Sequence, residues 1–135
     1  MKKKTLIFIL LSLTLVSCAT KNSLYQKKDI LENKNKQEDQ YNKFLQDFKS
    51  NKLNETELNQ IYLIAKTYEY NNELEKAEKL FEIVYKFSHN ITTALNLIQT
   101  KIKLKKISEA KAIAEYMHII FPNDKEIIKH MHPKS

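Results

Sequence analysis

Apolar residues fall along this chain in stripes of helical period, separated by short polar breaks. Tyr41, Phe44, Leu45 and Phe48 stand at i, i+3, i+4 and i+7 and predict an amphipathic helix ending near Lys49-Ser50-Asn51. Ile61, Ile64, Ala65 and Tyr68 predict a second helix reaching about Tyr70. Its start is marked by Asn54 as a cap, by Glu57 as the third residue after it, and by Leu53 and Leu58 placed to staple the entry. Asn71-Asn72 breaks it, and Asn72 with Glu75 repeats the cap spacing for a third helix. That helix carries Leu74, Ala77, Leu80, Phe81, Val84 and Phe87 on one side. Pro122 ends the last long stripe, since proline cannot continue a helix, and Ile127, Ile128 and Met131 mark a short final one.

The stripes repeat. Sliding the chain along itself until Leu74 falls on Ile107 also lays Ala77 on Ala110, Leu80 on Ile113, Val84 on Met117 and Phe87 on Ile120. The same shift lays Ile61 on Ala94 and Ile64 on Leu97. Helix pairs that recur at such a spacing are the signature of a solenoid. Counted from Leu58, the first unit has Ala65 at position 8, Tyr68 at 11, Ala77 at 20 and Phe81 at 24. These residues resemble the tetratricopeptide repeat, whose small side chains let helices approach closely. From Ile91 a second unit keeps Ala110 and Pro122 at family positions, but has Ile98 at 8, Lys101 at 11 and Ala114 at 24. The reading is an all-α fold: a short α-solenoid of two such hairpins, about 58–90 and 91–123, within a helical domain 41–135. Phe44 falls where the repeats have Ala77 and Ala110, so its helix reads as a cap rather than a third repeat. About three repeats normally make a stable stack. Two therefore predict uncovered apolar surface near Ile113, Met117, Ile120, Ile127 and Met131, to be buried by self-association or by a partner.

Upstream the pattern changes. Lys2-Lys3-Lys4 precede an uncharged, mostly apolar run that closes with Leu15-Val16-Ser17-Cys18. A basic start, a short apolar stretch and a small-residue exit describe a secretory signal peptide, and the run is short for a membrane span of roughly 20 apolar residues. The exit, with leucine three positions before the sole cysteine, resembles the lipobox of bacterial lipoproteins. The resemblance implies a signal peptide over 1–17, a diacylglyceryl (and acyl) anchor on Cys18, and a cell-envelope address. Ala19, not Asp, follows the cysteine, which favours an outer membrane if the organism has two. Residues 18–40 are rich in Lys, Asn and Gln, with few large apolar side chains after Ala19, and predict a flexible tether.

Composition removes several function classes. The chain has 135 residues, and without residues 1–17 it keeps 20 lysines against 16 acidic groups, a charge of +4 rather than +7. That modest excess, carried without any arginine, does not describe a nucleic-acid binder. With no glycine there is no phosphate loop, dinucleotide fingerprint or nucleophile elbow. No enzyme constellation is present, and acidic residues such as Glu75 are expected on exposed helix faces beside lysines such as Lys79. His130-Met131-His132 is the only ligand-like cluster, too few donors for a metal site, so no metal or cofactor is expected beyond the lipid on Cys18.

What the repeat resemblance implies instead is a concave groove lined by the first helix of each pair. The positions that face it are Asn59, Tyr62, Lys66, Glu69 and Tyr70, then Thr92, Leu95, Gln99, Ile102 and Lys103. Aromatic anchors among polar neighbours suit a protein or peptide partner. The expected function is thus a membrane-anchored adaptor or scaffold in the bacterial cell envelope, serving outer-membrane, pilus or secretion assembly. The alternative is a surface-exposed lipoprotein that binds an extracellular or host ligand.

Overall fold

Asn54 starts the packed part of the chain as its spacing predicts. Its side chain accepts from the Glu57 N–H at 2.9 Å, and Glu57 Oε2 accepts from the Asn54 N–H at 3.0 Å, a complete capping box. The structure is a computed structural model that describes residues 2–132, with side chains from residue 26 onward. Its helices are α1 (Lys2–Lys49), α2 (Glu55–Tyr70), α3 (Leu74–Ser88), α4 (Ile91–Lys103), α5 (Ile107–Ile120) and α6 (Lys125–His130). No strand occurs among the described residues. The chain divides into two units, Met1–Asn42 and Lys43–Ser135.

In the second unit each helix from α2 to α6 packs on the next in sequence, and α4 also touches α6. Small residues make this possible. Ala65, Ala77, Ala94, Ala110 and Ala114 are all fully buried at the helix crossings. Around them lie Phe44, Ile61, Leu80, Phe81, Leu97 and Ile98, each with at most 1% of its surface exposed.

The turns repeat with the period of the stripes. After α2 the N–H groups of Asn71, Asn72 and Glu73 donate to the carbonyls of Thr67, Glu69 and Tyr68. After α4 those of Leu104, Lys105 and Lys106 donate to Thr100, Ile102 and Lys101, so that every donor and acceptor recurs one full repeat further on. Both turns need a left-handed residue, Asn72 at φ 61° and Lys105 at φ 64°. Asn72 is therefore not the cap of α3, contrary to its spacing with Glu75. The connection is too short to spare it: Glu73 stands at the N-cap, without a side-chain cap bond. Elsewhere Asn90 caps α4 through the Thr93 N–H at 2.8 Å, and Asp124 caps α6 through the Ile127 N–H at 3.0 Å.

Three sequence expectations change. The stretch 18–40 lies within α1 rather than in a coil. It contains no glycine or proline, and Glu32 and Lys36 pair one turn apart at 3.4 Å. A helical spacer of roughly 20 residues rises roughly 30 Å, half the roughly 65 Å of an extended chain. Second, α6 covers more than its length suggests. Ile127 and Met117 are fully buried with Ala94, Ile98, Ala110 and Ala114, and Ile113 and Met131 pack on that cluster half-buried. The apolar side chains left out are Ile119, Ile120 and Ile128, with 78%, 44% and 43% of their surface exposed. Third, Glu75 and Lys79 stand exposed as expected, but not every glutamate does: Glu78 is buried and bonded to Lys101. Among the described residues no helix is long and apolar enough to cross a membrane. The side chain of Cys18 lies outside those described.

Candidate functional site

The helices α2 and α4 bring part of the expected groove together. The Asn96 Nδ2 donates to the Tyr62 hydroxyl at 2.9 Å, and the Lys66 Nζ donates to Asn96 Oδ1 at 3.1 Å. Lys66 also pairs with Glu69 Oε2, and Lys103 Nζ lies 3.5 Å from Glu69 Oε1. A polar line thus runs Tyr62–Asn96–Lys66–Glu69–Lys103 across the two helices. The Tyr62 ring is held from behind by Phe81, edge to face at 5.9 Å between centroids. Beside it Asn59, Tyr62, Val84, Asn90, Thr92 and Thr93 line a shallow depression of about 280 Å³. Sequence reasoning missed Asn96, the residue that joins the helices. Its only signal is its register, one position after Leu95 and about one repeat beyond Tyr62.

Other expected groove residues do not join this line of hydrogen bonds. Tyr70, at the end of α2, is 90% exposed, and Gln99 is exposed on α4. Leu95 and Ile102 are half-buried and pack on the Ala94–Met117 cluster, so their bulk serves the core as well as the face. The face is therefore more polar than the sequence suggests, with Tyr62 and Tyr70 as its aromatic groups.

A second polar group lies on the other side of α4. Lys101 is buried, and its Nζ donates to Glu78 Oε1 at 2.7 Å, Glu82 Oε1 at 2.8 Å and Glu109 Oε2 at 2.6 Å. Lys106 Nζ closes the group on Glu78 at 2.7 Å. Burial opposes the charge on Glu78, but hydrogen bonds from Lys101 and Lys106 outweigh it and hold the carboxyl below its ordinary value. Burial likewise opposes the Lys101 ammonium, and its bonds to Glu109, Glu78 and Glu82 carry its pKa above the ordinary lysine value. The three carboxylates approach within 4.8 Å of one another, a spacing that a metal ion could bridge. The ammonium of Lys101 stands among them and supplies the positive charge itself. With each carboxylate bonded to a lysine, this cluster joins α3, α4 and α5 rather than offering a reaction centre.

Compared with protein-family models, with curated proteins and with solved structures, the chain matches none.

Proposed function

We propose that this protein is a lipid-anchored adaptor of the bacterial cell envelope, whose two helical hairpins form a tetratricopeptide-like stack with a peptide-binding face on α2 and α4. Support for the repeat reading comes from the shared register of the two turns and from fully buried Ala65, Ala77, Ala94, Ala110 and Ala114. Support for the anchor comes from the sequence ending at Cys18. The observation that carries the binding face is the bridge from Asn96 to Tyr62 and Lys66, which fixes side chains from two helices into one preorganised surface. An extended segment lying across α2 and α4 meets hydrogen-bonding groups from Lys66, Asn96 and Gln99, with the Tyr62 and Tyr70 rings as apolar contacts.

Crosslinking pull-down from membranes tests this reading. The wild-type chain is expected to retain a partner that the Tyr62→Ala/Tyr70→Ala chain loses. Because Tyr62 is packed on Phe81, Tyr70→Ala alone serves as the variant that leaves the fold untouched. Partners unchanged in both variants overturn the assignment of this face.

A further inference from the structure

Away from the α2/α4 face, the last turns of α1 and the outer side of α3 enclose a pocket of about 420 Å³. Its floor is apolar: Leu45, Phe48 and Ile83. Its rim carries Lys49, Lys79 and Lys86, all exposed. Among the described residues none of these three makes an ion pair, whereas most other lysines of the packed unit do. Lys86 instead lies 5.1 Å over the Phe48 ring, and Phe87 closes that side edge to face on Phe48 at 6.2 Å. One carboxylate, Glu82, reaches the rim, but its charge is already met by Lys101 at 2.8 Å. The pocket is thus an apolar concavity surrounded by three uncompensated positive charges.

The geometry points to an acidic peptide segment with a bulky apolar anchor as the occupant of this pocket. The volume accommodates an aromatic or leucine side chain with its neighbours, and the rim gives flanking carboxylates three ammonium partners. A flat anionic membrane surface fits less well, because the charges ring a hollow instead of standing on a convex face. The site is separate from the α2/α4 face and does not depend on what that face binds.

The test uses the full chain in non-ionic detergent and a fluorescein-labelled peptide of Glu and Asp that carries Phe and Leu one helical turn apart. Fluorescence anisotropy should show saturable binding that weakens as salt is added. Lys49→Glu/Lys79→Glu should raise Kd by at least roughly tenfold with the melting temperature kept, and Tyr70→Ala should leave Kd unchanged. A copy of the peptide with lysines in place of its acids should not bind. Absence of binding, equal binding of the lysine copy, insensitivity to salt, or loss through Tyr70→Ala each overturns the proposal. So does recruitment to phosphatidylglycerol vesicles without peptide binding, which assigns the lysine rim to a membrane.

Discussion

Lys101 occupies in the second hairpin the position that Tyr68 holds in the first, and where Lys76 lies over the Tyr68 ring at 5.3 Å, Glu109 bonds Lys101 at 2.6 Å. The second hairpin keeps the contact positions of the first and replaces a cation on an aromatic ring by an ion pair. Glu109 is exposed, but Lys101 also bonds Glu78, and burial of the Lys101–Glu78 pair makes each of these two dependent on the other. Lys101→Ala should cost about 3 kcal/mol in urea unfolding, because Glu78 keeps its charge in the interior with only Lys106 to meet it. Replacing both members by apolar residues, Glu78→Leu/Lys101→Met, should recover most of that loss. A double variant as unstable as the single one would show that the pair itself is net stabilising.

The same groups set an acid limit. The Glu78 carboxyl titrates below its ordinary 4.5 in the folded chain, so its contribution is complete above 4.5 and is lost as pH falls through the lowered value. His130 moves in the same direction for a different reason. Burial, then Lys129, lowers its pKa from 6.5, and its Nε2 is buried without a hydrogen-bond partner among the described residues. Protonating it on the way down from pH 6.5 should therefore loosen α6 before Glu78 titrates. The protection factors of α6 amides, which remove the pH dependence of intrinsic exchange, should fall below pH 6.5 in the wild type and not in His130→Leu.

Lys105 holds a left-handed conformation at φ 64° without the help of an asparagine side chain. A residue with a Cβ is disfavoured there by roughly 1 kcal/mol. Lys105→Gly should raise stability by about 1 kcal/mol in urea titration, and Asn72→Gly, at the equivalent turn, by less.

Ile119, Ile120 and Ile128 leave an apolar end on α5 and α6. Light scattering of the full chain in detergent should show concentration-dependent association that Ile119→Lys/Ile128→Lys reduces. Association unaltered by the double substitution would move the contact elsewhere.

Cys18→Ala should leave the helical content unchanged by circular dichroism and release the chain from the membrane fraction. It should also abolish incorporation of an alkyne-labelled fatty acid. Retention in the membrane fraction would locate attachment outside Cys18.

The helix stripes were legible because each has one apolar face, and α2, with Asn54 and Glu57 at its start, formed where its cap and period placed it. Tyr62, Lys66, Glu69 and Lys103 could be assigned to one face because the repeat resemblance puts them there, on two different helices. Asn96 could not, since its importance comes from a partner on a different helix. Nor could Lys101, which pattern reasoning treats as a poor match at an aromatic position. Only the meeting of α3, α4 and α5 supplies the carboxylates that make a buried lysine stable. The lysine-rimmed pocket was hidden for a related reason: Leu45 and Phe48 carry the same periodicity as core residues, and periodicity does not distinguish a covered side chain from a half-open one.

The two turns with matched hydrogen bonds have a further meaning. If the donors and acceptors that close α2 onto α3 recur unchanged between α4 and α5, the segment 58–90 is a spliceable cassette. A second copy inserted after residue 90 would present to its neighbours the same alanines and the same turn. The matched turns set no limit of their own on how many such hairpins could be stacked.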